Sequence, residues 1–258
     1  MTTRLKTEDH TVGYGGAPVL QGVSLDFGDT EATAIVGPNA CGKSTLLKCL
    51  ARLIKPQKGA ALLDGKPIHR ARTGMVARTL ALLPQSAETP PGMRVIDLVE
   101  RGRTPHQNPL QQWSARDETV VRAALDQVGL AAEADRLLAD LSGGQRQRAL
   151  IAMVLAQETQ ILLLDEPTTF LDLRYQIETL KLVRRLQAER SLTVVIVLHD
   201  INLAARFADR IVALRDGQIV CQGRPSEVVT AANINTIYDL PAQVIAGPVD
   251  GLPHVIPL

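Results

Sequence analysis

Eight consecutive residues, Gly37-Pro38-Asn39-Ala40-Cys41-Gly42-Lys43-Ser44, carry the first chemistry legible in this chain. They match the pattern G-x-x-x-x-G-K-[ST], in which a glycine-bearing loop turns its backbone N–H groups toward an anion. The pattern needs a strand before it and a helix after it, because the helix N-terminus adds partial positive charge to the loop amides. Thr33-Ala34-Ile35-Val36 reads as that strand, and Lys43 to Leu53 as that helix. Lys43 places a point charge on the β- and γ-phosphates of a nucleoside triphosphate. The Ser44 hydroxyl offers an oxygen ligand to Mg²⁺. Such a loop alone does not separate a kinase, a GTPase and an ATPase.

A second glycine turn, Leu141-Ser142-Gly143-Gly144-Gln145, opens another helix roughly one hundred residues later. One nucleotide needs one cradle, so a second suggests a second use, although an N-cap by Ser142 accounts for the string locally as well. Ile161-Leu162-Leu163-Leu164-Asp165-Glu166 is an apolar strand ending in two carboxylates. These are either solvated acids at a strand end or a metal ligand followed by a general base. His199 directly follows the apolar run Leu192 to Leu198, and Gln85 follows Leu80 to Pro84. Tyr14 lies in a glycine-rich turn, where a plain surface aromatic is the alternative to a binding role.

In this order the strings resemble those of the ATP-binding cassette (ABC) family, and the resemblance covers essentially the whole chain. It implies an α/β fold: a P-loop NTPase (RecA-like) core with a mainly parallel sheet, an N-terminal antiparallel β portion and an inserted α-helical subdomain. It implies that Gly37, Pro38, Asn39, Ala40, Cys41, Gly42, Lys43, Ser44 and Thr45 bind ATP, with Tyr14 stacking on the adenine. Ser44, Gln85 and Asp165 attend the Mg²⁺. Glu166 is the general base, His199 hydrogen-bonds the γ-phosphate, and Lys43 and Gln85 complete the catalytic set. Ser142, Gly143, Gly144 and Gln145 belong to the family signature, which caps the γ-phosphate held by an opposing protomer. Thr169-Phe170-Leu171-Asp172 matches the D-loop, whose Asp172 contacts the partner. One phosphate loop and one signature per chain then require a homodimer of ATPase subunits binding two ATP molecules. Ala40 stands where many relatives have glycine, which is acceptable if that residue keeps φ negative. Cys41 lies inside the loop, so a bulky thiol reagent is expected to inhibit ATPase activity, with ATP protecting.

The elements that must position these residues alternate along the chain. Short β-rich runs alternate with helical patterns, the signature of a mainly parallel sheet covered by helices. Gln160 to Leu164 and Leu192 to Leu198 are continuous apolar runs, as expected of strands covered on both faces. From about Ser86 to Glu158 no strong strand run occurs, and Val95 to Arg101, Ala115 to Val128 and Gln145 to Gln157 read as helices. Asp117-Glu118 favours the start of the second helix through the helix dipole. Thr104 to Pro109, with two prolines, reads as a loop, and Arg103 and His106 read physically only as exposed polar loop residues. The expected organisation is one ABC ATP-binding domain over 1–258. Its core is 1–85 and 159–225, its inserted helical subdomain 86–158, and its tail 226–258, a short helix followed by irregular Gly- and Pro-rich chain.

Composition narrows the function further. Apolar residues make up 45% and aromatics 3% of the 258 residues, so the core is aliphatic. A net charge of +1 argues against a nucleic-acid partner bound by bulk electrostatics. Cys41, Cys49 and Cys221 fit neither a disulfide framework nor a zinc site, which suggests a reducing cytosol. No signal stretch opens the chain, and no apolar run approaches the roughly 20 residues that span a bilayer. The chain is therefore expected to be soluble. The ABC resemblance implies that it sits peripherally at the cytoplasmic face of the membrane, its stroke received by polytopic permease subunits docked near Gln85, and that an extracytoplasmic substrate-binding protein acts with them. Gly102 to His106, Pro167 to Asp172 and Leu252 to Leu258 resemble the iron-siderophore uptake ATPases, with haem and cobalamin importers as close alternatives. A soluble ABC ATPase outside transport is the further rival. It lacks support, because the chain carries neither a second cassette nor a long coiled-coil insertion.

Overall fold

A computed structural model of the chain describes residues 4–85, 89–107, 113–248 and 250–258. The expected subdomain boundary at Ser86 and the loop residues Asn108 and Pro109 lie outside the described residues.

Strands that are apolar at every position must be covered on both faces. β3 (Ala32–Val36), β7 (Ile161–Asp165) and β8 (Thr193–Val197) are buried throughout. With β6 (Leu80–Leu83), β9 (Arg210–Arg215) and β10 (Gln218–Gly223) they form a sheet in the order β10-β9-β3-β8-β7-β6. Neighbours from β9 across to β6 pair in parallel, and β10 closes the edge antiparallel to β9. A second, antiparallel sheet, β2-β1-β4-β5, joins β1 (Leu5–Val12), β2 (Leu20–Phe27), β4 (Lys58–Leu63) and β5 (Lys66–Pro67). Helix α1 (Lys43–Leu50) packs its Leu46, Leu47 and Leu50 into one apolar cluster with Leu5 and Phe27 from that sheet and Leu163 and Val195 from the other. The fold class expected from the sequence is the one observed.

Helix α2 (Thr73–Thr79) leads into β6. The segment between β6 and β7 is helical, with α3 (Val95–Glu100), α4 (Ala115–Gln127) and α5 (Gly143–Ala156) sharing a cluster through Leu98, Val121, Leu125 and Ile151. The expected exposed loop around Arg103 and His106 is not what forms. Arg101–His106 is a 3₁₀ helix, and Arg103 is only 2% exposed. Its Nε donates to Asp117 Oδ1 at 2.8 Å, and its Nη1 donates to the Ala156 carbonyl at 2.7 Å and to Glu158 Oε2 at 2.8 Å. His106 Nε2 bonds the Gln157 carbonyl at 2.8 Å. A buried guanidinium is tolerable only with such partners. Asp117 is also the capping-box carboxylate of α4, accepting from Ser114 N and Oγ.

After β7 come α6 (Leu173–Arg190) and α7 (Ile201–Phe207), on either side of β8 in the chain. The tail also departs from expectation. The short helix is present as α8 (Pro225–Val228), but it is followed by α9 (Ala231–Tyr238) and an antiparallel hairpin of β11 (Ala242–Ala246) and β12 (Pro253–Pro257). Prolines occupy the ends of β12, where a missing N–H is least costly. The Asn202 side chain of α7 pairs with both the N–H and the C=O of Val255, which gives the hairpin a partner. Among the described residues no helix is long and apolar enough to cross a membrane.

Removing the Arg103 cation leaves Asp117 buried without its main counter-charge. Arg103→Met is expected to lower the unfolding free energy by about 3–5 kcal/mol in urea denaturation. The Ser114 hydroxyl and then Arg103 hold the Asp117 carboxyl below its usual value, against the effect of burial. The stability tied to this lowered value is fully present above about pH 4 and is lost as the pH falls through it. The urea midpoint of the wild type should therefore fall on acidification below about pH 4, and by less in Asp117→Asn.

Candidate nucleotide site

Parallel pairing brings the C-terminal ends of four strands to one edge, the place where open α/β sheets bind ligands. β3 runs into Gly37, β6 toward Gln85, β7 into Asp165-Glu166 and β8 toward His199. The phosphate loop turns sharply at Gly37, whose φ is 145° and where a Cβ would come within 2.0 Å of the Leu214 carbonyl oxygen. Ala40 adopts φ 62°, so the condition of a negative φ, under which alanine is acceptable there, is not met. Alternation of hand along the loop is what points successive N–H groups into one concavity. A side chain in the left-handed region costs about 1–2 kcal/mol. The loop bears this strain for its anion-binding shape.

Lys43 is 5% exposed, and its Nζ donates to the carbonyls of Gly37 at 2.9 Å and Pro38 at 2.7 Å. The ammonium is folded across its own loop with one donor to spare. Ser44 Oγ donates to Asp165 Oδ1 at 2.8 Å. Burial pushes the Asp165 carboxyl up, and the adjacent Glu166 adds to this, against the Ser44 hydrogen bond. An acid disfavoured as an anion, beside a hydroxyl oxygen, is relieved by a hard cation. Two protein oxygens suit Mg²⁺, which keeps waters and phosphate oxygens for its other positions.

Glu166 is 8% exposed and adopts φ 52°. Gln85 Nε2 donates to its Oε2 at 2.6 Å, and Thr169 Oγ1 donates to the same oxygen at 3.1 Å. His199 Nε2 lies 2.6 Å from Oε1. The carboxylate is thus oriented by both oxygens toward a cavity of about 300 Å³. That cavity is bounded by Val19, Asn39, Lys43, Thr45, Glu166 and His199, among others. Tyr14 stands near its rim with its ring exposed and its hydroxyl 3.3 Å from Thr45 Oγ1. The structure therefore gathers the loop, Gln85, Asp165, Glu166 and His199, with Tyr14 alongside Thr45. Sequence reasoning overlooked Val19, for which no local signal exists. It gave Thr169 no role at Glu166, although their three-residue separation hinted at the contact.

The second glycine turn is elsewhere. Ser142 caps α5, its Oγ accepting from Gln145 N at 3.2 Å while Gln145 Oε1 accepts from Ser142 N at 3.1 Å. Gly144 lies against the Tyr175 ring, where a Cβ would come within 2.5 Å of a ring carbon. Asp172 caps α6 by accepting from Tyr175 N at 3.0 Å. None of Ser142, Gly143, Gly144, Gln145 or Asp172 lines the cavity at the phosphate loop. Ser142 and Gly143 instead face solvent.

Cys41 reverses its expectation. It is 4% exposed, and burial raises its thiol, only partly offset by Lys43. Burial likewise pushes Cys49 up to about 12, while Cys221 is half-buried. Neutral buried thiols are poor nucleophiles. A maleimide should therefore label Cys221 first in the native chain, with Cys41 and Cys49 reacting on denaturation, as read by peptide mass spectrometry.

The ABC transporter family model matches residues 20–169. The chain is 49% identical over 255 residues to the ferric enterobactin transport ATP-binding protein of Escherichia coli K12, covering 99% of this chain and 94% of the relative. It is 46% identical to the achromobactin transport ATP-binding protein of Dickeya dadantii, covering 99% and 95%. Among solved structures, one in an inward-facing ABC transporter of metal-chelate type superposes with a TM-score of 0.87 at 30% identity, covering 100% of this chain and 98% of that one. A dimeric bacterial ABC transporter cassette superposes at 0.75 with 28% identity, covering 85% and 98%. Converging loop, carboxylates and histidine, with this likeness along the whole chain, place the protein in the ABC transporter ATP-binding family.

Proposed function

We propose that this chain hydrolyses ATP to ADP and phosphate as one of two identical subunits, and so drives import of an iron-siderophore complex through separate membrane permease subunits. The observation that carries the reaction is the fixed Glu166 carboxylate, held by Gln85, Thr169 and His199 at the mouth of the phosphate-loop cavity. In that role Glu166 accepts a proton from the water that attacks the γ-phosphorus as the bond to the β-phosphate oxygen breaks. Lys43 leaves its two carbonyl partners to meet phosphate oxygens, and Tyr14 offers its exposed ring to the adenine. Ser44 and Asp165 would hold Mg²⁺, which supplies charge neutralisation at the phosphates when bound.

Pairing of two chains is supported by the outward-facing Ser142 and Gly143, whose helix N-terminus offers an anion site with no phosphate loop of its own chain beneath it. Asp172 would meet the partner from the neighbouring segment, whose Leu171 side chain lies against Gly143. Closure on ATP and opening after hydrolysis provide the stroke. Residues 86–158 act in this reading as a helical lobe on a core of 1–85 and 159–225. A groove of about 440 Å³ beside β6, lined by Leu53, Val76, Leu80 and Leu82 together with Arg52, Thr73 and Gln157, offers the permease a docking site next to the strand that leads to Gln85. Leu53 is 66% exposed there, an apolar side chain awaiting cover. Peripheral location at the cytoplasmic face follows from that partner, and an extracytoplasmic binding protein delivers the cargo. The siderophore class rests on what the named relatives transport.

Glu166→Gln should cut ATP turnover by about 10²–10⁴-fold and accumulate an ATP-bound dimer on size-exclusion chromatography. A variant that still turns over, or stays monomeric with ATP, opposes the proposed chemistry. Loss of ferric-siderophore uptake in cells lacking this chain, restored by the wild type and not by Glu166→Gln, tests the cargo.

A further inference from the structure

We infer, on the paired reading proposed above, that Phe170 is an apolar anchor between two copies of this chain and meets Phe170 of the partner subunit on their two-fold axis. Phe170 is 93% exposed, the most of any large apolar side chain among the described residues. Its backbone sits at φ 64°. A bulky side chain in that region is an outlier, and such strain persists only where the surroundings hold it. Hydrogen bonds on both sides do so. The Thr169 N–H donates to the Glu166 carbonyl at 3.2 Å and the Leu171 N–H to the Thr168 carbonyl at 3.3 Å. Gln176 Nε2 donates to the Leu171 carbonyl at 2.9 Å. The turn is therefore fixed, and it throws the ring away from its own chain. Glycine would make the same turn with less strain and leave no apolar surface in water. A ring so exposed stabilises a contact outside its own chain.

The place of Phe170 identifies what covers it. Its two chain neighbours touch different halves of the proposed shared site. On one side, Thr169 Oγ1 donates at 3.1 Å to Glu166, which lines the phosphate-loop cavity. On the other, the Leu171 side chain lies 3.6 Å from where a Cβ on Gly143 would stand, against the exposed signature turn. Phe170 therefore stands between the phosphate-loop cavity and the signature turn of a single chain.

Two identical subunits that cover each other's nucleotide are related by a two-fold axis, and each presents the same patch to the other. When each signature turn lies over the other copy's phosphate loop, that axis passes midway between the two features of one chain. A residue standing midway meets its own symmetry mate. Two phenyl rings then shield each other from water, and offset or edge-to-face packing adds to the gain. Leu173, 70% exposed at the start of α6, adds apolar surface close by in the chain. Anchors near the centre of an interface carry a large share of its energy.

The test reads dimer formation of the full-length Glu166→Gln chain with ATP, by sedimentation velocity. Adding Phe170→Lys or Phe170→Glu sets two like charges on the axis. Each should weaken ATP-dependent dimerisation by roughly 30-fold or more, the loss expected of a central anchor. Mixing the Phe170→Lys and Phe170→Glu chains, one of them affinity-tagged, pairs opposite charges and should recover most of that loss as a dimer of one chain of each kind. The nucleotide-free melting temperature of each variant should stay within about 2 °C of its parent, because exposed substitutions cost a fold little. Undiminished dimerisation in the single variants overturns the inference. So does a mixture no better than its components, or a melting temperature that falls by several degrees. A Glu166→Gln parent that stays monomeric with ATP removes instead the pairing itself.

Discussion

Two carboxylates leave the apolar strand β7 on successive residues, and the site is built around keeping them different. Asp165 ends the strand at 3% exposure, faces the Ser44 hydroxyl and is disfavoured as an anion by burial. Glu166, one residue on, turns through a left-handed φ of 52° and receives hydrogen bonds on both sides of its carboxylate. Such a backbone costs roughly 1–3 kcal/mol and persists only where its surroundings over-determine it. Gln85, Thr169 and His199 do so here, from three different segments. The parallel sheet is what lets them meet. Leu164 pairs beside Leu83 on one flank and Ile196 on the other, so the segments that follow emerge together.

The phosphate loop obeys the same logic of strain held by packing. Gly37 is wedged against the Leu214 carbonyl, Ala40 is forced left-handed, and Lys43 is folded onto its own carbonyls. The loop is therefore already curved before an anion arrives, which lowers the ordering cost of binding. The second glycine turn is just as finished, with Ser142 and Gln145 capping each other, yet it lies apart from the cavity. On the proposed pairing, this exposed helix start is the surface that an opposing copy would meet.

Much of this was legible in the sequence because the relevant signals are local. The phosphate loop, the strand Ile161–Asp165 and the helix after Ser142 each announce themselves within ten or so residues through spacing and apolar runs. What was illegible depends on distance. Arg103 reads as an exposed loop residue until Asp117 and Glu158, 14 and 55 residues away, arrive to partner it. The hairpin of β11 and β12 hides behind glycines and prolines, and only Asn202, 53 residues before Val255, gives it something to hold. Ala40 is the reverse case, where a rule about side chains and φ yields to the curvature that the loop's function needs. Cys41 shows the same limit, since its place in the string said nothing of its burial.

The most direct test of the account is complementation between two inactive chains. Lys43→Ala removes the phosphate-loop cation, and Ser142→Arg blocks the signature face, so each variant alone should be nearly devoid of ATPase activity. In a mixed dimer one site combines both lesions. The other joins the intact loop of the Ser142→Arg chain to the intact signature of the Lys43→Ala chain. Mixing the two purified variants should therefore restore a substantial fraction of wild-type turnover. A mixture as inactive as its components, or a Ser142→Arg chain active by itself, would contradict a site shared between two copies.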